Sequence, residues 1–285
     1  REIIGPLGIG KVLRELDPTQ MSGSLIAIPL ANMSAFEFAE RNSLWDDTNM
    51  EDVGEGRPDG SLTERLAYRM FHDCIFQGDA YIEIHSASAP TFVWYTIYLG
   101  RLEGAAPEVT SRSRQMALAW GLEQVWASSP WSDETKIVAM HHGIPAIMPE
   151  IGGGASFFVN GEEQIATCAR GIVNVMKLMG ILPGQIETES PKATVWDVPF
   201  EFFNDGQGGL MLAKAKRGQR LKKGDLFAVK YDPTTGEEIE QVLCPGEGTL
   251  LNTGLIWPHV RGKQFLGVLG HRLEEVDLTT HTWEF

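Results

Sequence analysis

The stretch Tyr81–Ser88, YIEIHSAS, decides how the rest of this chain is read. From Asp79 to Ile84 the residues alternate, with Ala80, Ile82 and Ile84 on one face and Tyr81, Glu83 and His85 on the other. That is the period of a β-strand. The strand delivers an imidazole to its carboxyl end, and three small residues, Ser86, Ala87 and Ser88, then leave space around it. Ligands of open parallel sheets bind beyond the carboxyl ends of the strands, so His85 stands where an active site is expected. Taken alone, a core histidine hydrogen-bonded to its neighbours accounts for the same pattern.

Working outward, strand-like and helix-like segments alternate over the first two-thirds of the chain. Ile3 to Leu16 carries apolar residues at helical spacing and ends at Asp17-Pro18, where proline disfavours helix in the residue before it. SLIAIPL (24–30) reads as a short apolar strand. Ser61-Leu62-Thr63-Glu64 is a capping box opening a helix that turns Leu66, Met70 and Phe71 inward and stops at Gly78. Ser111 to Ser128 reads as one helix, and Ser132-Asp133-Glu134 begins another that ends at Gly143. IPAIMPE (144–150) is a short strand, and Gly161 to Gly180 a helix with Ile165, Ile172, Met176 and Met179 on one side. Such alternation implies an α/β fold with a largely parallel sheet covered on both faces. From Glu187 the runs TVWDVPFEFF, GGLMLAK, DLFAVKYD and FLGVLG, punctuated by glycine and proline, suggest a small β-domain. The break at Leu182-Pro183-Gly184 divides residues 1–186 from 187–285.

A chain of 285 residues, 43% hydrophobic, can bury a substantial core. Its net charge of −14, with no basic tract, disfavours nucleic acid and anionic membrane, both of which repel it at long range. Small-molecule chemistry or a protein partner remains. No apolar run reaches the roughly 18 residues of a membrane span, and REIIGPLG lacks the order of a secretory signal, which places the protein in the cytoplasm. Cys74, Cys168 and Cys244 are far apart and odd in number, as reduced structural thiols would be. The chain opens on Arg1 rather than Met, directly into an apolar pattern, and reads as clipped at the front.

Two carboxylates join His85 as candidates. Glu2 stands at the mouth of the first helix, where a glutamate also simply complements the helix dipole. Glu150 ends a strand and precedes Gly152-Gly153-Gly154, which let backbone or ligand approach closely and equally suit an ordinary turn. Together the three make a hydrolytic metal site plausible, with His and Glu as ligands and a separate carboxylate activating water.

In order along the chain, REIIGPLG, LDP, GSLTERLA, EIHS, HGIPAIMPEIGGG and ARGIVNVMKLMGIL resemble segments of the succinylglutamate desuccinylase and aspartoacylase family. That family comprises zinc-dependent amide hydrolases related in fold to the zinc carboxypeptidases. The resemblance implies a zinc-carboxypeptidase-like mixed sheet flanked by helices, followed by a β-rich tail. REIIGPLG is similar to the family's His-Gly-x-Glu-x-x-Gly zinc motif from its third position onward. Glu2 and His85 are thereby implied as zinc ligands, with a histidine that would precede Arg1 as the third. Glu150 falls at the position of the catalytic glutamate. RNSLWDDTNM resembles the substrate loop, implying Arg41 as the group that polarises the carbonyl and holds the oxyanion, and Asn49 as a substrate-orienting residue. Met50 replaces an arginine that binds a substrate carboxylate in relatives, and methionine cannot form that bidentate pair.

The resemblance thus implies a Zn2+-dependent deacylase of a small N-acyl amine or N-acyl amino acid, acting as a homo-oligomer. A hydrolase of short peptides or cyclic amides is the enzymatic alternative, and a catalytically silent small-molecule or partner-binding homologue the other. His141-His142 are read as surface or cap residues, because adjacent helical side chains point about 100° apart. Lys192, in an ESPKATVWDVP segment that echoes a lipoyl hairpin, is read as an ordinary exposed lysine. Trp94, Trp120, Trp126 and Trp131 are read as packing.

Overall fold

The computed structural model describes residues 2–86, 94–129, 134–152, 156–204, 206, 208–253, 259–260 and 265–285, and side chains for all of these except 200, 201, 259 and 260. Its helices are α1 (Ile4–Glu15), α2 (Met33–Glu37), α3 (Leu62–Asp73), α4 (Pro107–Ala119), α5 (Glu134–His141) and α6 (Phe157–Leu178). The strands are β1 (Tyr81–Ile82), β2 (Tyr95–Leu99), β3 (Gln124–Ser128), β4 (Ala146–Glu150), β5 (Lys192–Phe203) and β6 (Gly209–Ala213), then β7 (Arg220–Leu221), β8 (Leu226–Tyr231), β9 (Glu238–Leu243), β10 (Gly248–Thr253), β11 (His259–Val260) and β12 (Phe265–Asp277).

An eight-stranded sheet runs in the order β1-β4-β2-β3-β5-β12-β10-β7. The pairs β1/β4, β2/β3 and β3/β5 are parallel, whereas β4/β2 and everything beyond β5 are antiparallel. The sheet is therefore mixed, as the family resemblance implied, and not the largely parallel one that strand–helix alternation alone suggests. Alternation cannot see that β4 inserts between β1 and β2 with its direction reversed against β2. Side chains on the two faces of each strand feed two cores. Tyr98, Val125, Ala127, Ile147 and Val195 pack with Val12, Met116, Trp120, Cys168 and Ile172 of the α1, α4 and α6 layer. Tyr95, Ile97, Trp126, Met148 and Val198 form the opposite face with Leu251 and Val268.

A second sheet, β11-β6-β8-β9, is antiparallel throughout. Met211, Phe227 and Ala228 from it meet Phe202, Leu250, Leu266 and Leu269 from the larger sheet in a third core. The β-rich tail is thus present, but the 186/187 division falls before a strand of the large sheet. Thr194 to Val198 of β5 pair in parallel with Gln124 to Ser128 of β3, so the sheet is continuous across that position.

Two other expectations change, and one strand is new. The run from Ser111 to Ser128 is not one helix: α4 stops at Ala119, Gly121 takes φ +93, and Gln124–Ser128 becomes a central strand. A left-handed residue ends a helix, and glycine adopts it without a Cβ penalty. β2 was not foreseen, because all five of its residues are buried and it shows no polar alternation. SLIAIPL makes no ladder and forms an irregular segment along a cleft. Among the described residues no helix is long and apolar enough to cross a membrane.

Candidate active site

The site is built where α1 meets the carboxyl end of β1. Gly8 lies on the α1 face against α6, and a Cβ there would stand 2.3 Å from Cys168 Sγ. Its absence lets the helix backbone seat closely. Ser86 then ties the start of α1 to the end of the β1 segment. Its Oγ accepts from Ile4 N (3.3 Å), and its N–H donates to Glu2 Oε2 (3.3 Å). The first small residue after His85 is therefore a buried clamp rather than empty space. Ala87 and Ser88 lie outside the described residues. Glu2 precedes the first turn of α1 and faces the sheet, so complementing the helix dipole is not its contact.

His85 extends the β1 ladder. Its N–H donates to Pro149 O (3.0 Å), its carbonyl accepts from Ile151 N (3.2 Å), and it forms a parallel bridge with Glu150. Residues directly opposite on parallel strands about 4.8 Å apart point to the same face. His85 and Glu150 are therefore side-by-side, although 65 positions separate them in sequence. Tyr95, paired with Glu150 from the other side and stacked on Trp126 at 3.6 Å between ring centroids, completes this floor.

Both imidazole nitrogens of His85 face carboxylates. Nδ1 is 3.2 Å from Glu2 Oε2, and Nε2 is 3.3 Å from Glu83 Oε1. Burial alone would lower the pKa of His85, but the hydrogen bonds and charges of Glu2 and Glu83 push it well above the usual imidazole range. Burial would likewise raise the Glu2 carboxyl. His85, the Ser86 N–H and the Arg41 charge outweigh this and hold it below its ordinary value. Glu83 is held at about 2 against its own burial by His85, the charge of Lys136 and Thr135. Carboxylates thus surround a position that favours positive charge.

A cleft of about 1280 Å³ gathers all five residues singled out from sequence: Glu2, Arg41, Asn49, His85 and Glu150. Arg41 is exposed and ion-paired to Glu51 at 3.0 Å. Asn49 Nδ2 donates to Asp52 Oδ1 (3.1 Å), and Met50 also lines the cleft. Their loop is pinned by Asp46, whose Oδ2 accepts from Thr63 N (2.8 Å) and Oδ1 from Thr63 Oγ1 (2.8 Å), at the capped start of α3. His141 and His142 lie elsewhere, on Glu103 O and stacked on Phe76. Lys192 is exposed and pairs with Glu275 at 2.6 Å. Glu83, Tyr95 and Thr135 were not singled out. For Glu83 a signal existed, since a residue two positions before a strand-end histidine shares its face.

Two ligands of one tetrahedral zinc, each about 2.0–2.1 Å from the ion, stand about 3.3 Å apart. The 3.2 Å between Glu2 Oε2 and His85 Nδ1 fits that spacing, and carboxylate with imidazole is a suitable donor set. Among the described residues no three His, Cys, Asp or Glu side chains form a metal-holding group.

This α/β fold brings a histidine and two carboxylates together where α1 meets the ends of β1 and β4, and sequence comparison gives the family. The succinylglutamate desuccinylase/aspartoacylase catalytic domain matches residues 1–179, and the chain belongs to that family. It is 23% identical over 237 residues to the N-alpha-acetyl-L-2,4-diaminobutyric acid deacetylase of Halomonas elongata, covering 82% of this chain and 68% of that protein. The product-bound structure of the ectoine utilization protein EutE (DoeB) from Ruegeria pomeroyi is similar with a TM-score of 0.82 at 22% identity, over 95% of this chain and 82% of that one. A succinylglutamate desuccinylase/aspartoacylase from Rhodobacter sphaeroides gives 0.80 at 20% identity, over 96% and 82%. The family is one of deacylases that act on N-acyl amino acids.

Proposed function

We propose that this chain is a zinc-dependent hydrolase of the amide bond in a small N-acyl amino acid or N-acyl amine. The observation that carries this reading is the 3.2 Å approach of Glu2 and His85, with Glu150 directly beside His85 across the sheet. Glu2 and His85 would hold the metal, which when bound acts as a Lewis acid that acidifies water and polarises an acyl carbonyl. Glu150 takes a proton from the attacking water at a carboxylate oxygen and returns one to the leaving amine nitrogen, so its own charge is unchanged over the cycle. Arg41 directs its guanidinium to the carbonyl oxygen as negative charge develops there. Asn49 orients the substrate amide.

Met50 leaves the substrate loop without a second arginine for a side-chain carboxylate. We assign the enzyme to substrates that lack that group, a class that includes the acylated diamino acid named for the Halomonas relative. We also propose a cytoplasmic, homo-oligomeric enzyme in which residues 187–285 form a β-rich unit. A silent homologue is the second reading. Metal analysis together with a panel of N-acyl amines and amino acids, scored for released amine, separates the two. About one zinc per chain and chelator-sensitive release support the deacylase, and a metal-free protein that releases no amine refutes it.

A further inference from the structure

His85 has two ring nitrogens, and which of them is free to bind a metal is decided by what holds the other. Glu83 lies within hydrogen-bonding distance of Nε2, at 3.3 Å, on the side of the ring away from Glu2. A carboxylate only accepts, so Nε2 must be the donor. Glu83 is itself restrained, because its other oxygen, Oε2, accepts from Thr135 Oγ1. The next residue of α5, Lys136, is fully buried and puts its ammonium charge within electrostatic reach of Glu83. Thr135 of α5, some 50 positions away in sequence, therefore holds the carboxylate that holds the histidine.

We propose that Glu83 is a positioning residue: it accepts the hydrogen bond of the His85 Nε2–H, locks the ring, and so assigns Nδ1, the nitrogen facing Glu2, as the metal-binding atom. Thr135 fixes Glu83 in that pose. Carboxylate–histidine–metal triads of this kind orient the ring and raise ligand basicity. Lys136 also donates to Met148 Sδ at 3.2 Å, on the strand that carries Glu150. The same α5 turn thereby braces both the histidine and the strand of the acid–base residue.

This inference rests on the metal reading above, and its test separates the two. Zn2+ affinity of the full chain is measured by competition with a chromophoric chelator for the wild type, Glu83→Ala, Glu83→Gln, Glu83→Asp and Thr135→Val. In parallel, 15N-histidine NMR of the zinc-loaded proteins reports which ring nitrogen carries the proton. Expected are roughly 10- to 100-fold weaker binding in Glu83→Ala, a smaller loss in Thr135→Val, and partial recovery in Glu83→Asp. The wild type should show His85 protonated at Nε2, and Glu83→Ala should show that assignment lost. Glu83→Gln keeps the shape and guards against a folding defect, which thermal melting of the metal-free proteins would reveal. Zinc affinity within twofold of wild type in folded Glu83→Ala, or coordination through Nε2, overturns the positioning role alone. Failure of the wild type to bind zinc overturns the metal reading and this inference with it.

Discussion

Asp46 offers the most direct way to test how the loop that carries Arg41 and Asn49 is held. It lies between Arg41 and Asn49, and both of its carboxylate oxygens accept 2.8 Å hydrogen bonds from Thr63, one from the backbone N–H at the start of α3 and one from the hydroxyl. Burial pushes its pKa up, but the bonds from Thr63, Ser61 and Ser43 outweigh this and bring it from 3.8 to about 2. That gap of about 1.8 pH units corresponds to roughly 2.4 kcal/mol for a dry group. Solvent screening at this partly exposed position reduces it to about 1 kcal/mol. The folded-state pKa is depressed, so the stabilisation is fully present above about pH 4 and is lost as the pH falls through about 2. Asp46→Asn can still accept from Thr63 N and donate to Thr63 Oγ1, and so removes the charge alone. Asp46→Ala removes both bonds and should cost about 1–2 kcal/mol, as loss of a helix cap does. Urea unfolding at pH 7 should rank wild type above Asn above Ala, and the gap between wild type and Asp46→Asn should close between about pH 4 and pH 2. If Asp46→Ala matches wild type at pH 7, or the Asn gap persists at pH 2, the carboxylate is not the clamp inferred here. Substrate KM should also rise in the Ala variant, because Arg41 and Asn49 share the loop.

Three further outcomes follow from the geometry. Glu150→Gln should retain zinc while losing about 10²- to 10⁴-fold in turnover, and a variant as active as wild type excludes Glu150 as the acid–base group. Met50→Arg should raise kcat/KM for substrates bearing a side-chain carboxylate by about tenfold relative to neutral ones, the effect of one charge-assisted pair in a wet cleft; an unchanged substrate ranking argues that residue 50 does not face the substrate. Gly171→Ala places a Cβ 2.3 Å from Cε2 of the buried Trp120. It should destabilise by about 1–3 kcal/mol, whereas the same change on an open helix face stabilises by about 1 kcal/mol; a raised melting temperature contradicts the packing described.

The residues singled out from the sequence meet in one cleft, whereas the sheet that positions them was only partly legible. His85 was legible because a strand-like alternation ended on it, and Glu2 and Glu150 because their motifs kept the family order. The central strands were not. Tyr95–Leu99 and Gln124–Ser128 are buried on both faces, so the polar alternation that marks a strand is absent, and only a glycine at φ +93 separates the second from a genuine helix. The reversal of β4 against β2 has no local signature at all. Glu83 could have been found, sharing the face of His85 two positions on. Thr135 and Lys136 could not, because the contact between α5 and β1 exists only once the sheet has assembled. The Arg41–Glu51 pair is likewise a property of the loop's fold, not of its residue order.

The long strand β5 also bears on how this protein can be handled. Its first half completes the parallel sheet beside β3, and its whole length pairs with the final strand of the chain, β12. Severing the polypeptide after residue 186 would therefore strip β3 of a neighbour and leave Val125 and Ala127 on an open, apolar border of the kind that invites strand-to-strand aggregation. Residues 1–186 should be recoverable in soluble form only when the tail is supplied, whether joined or added in trans.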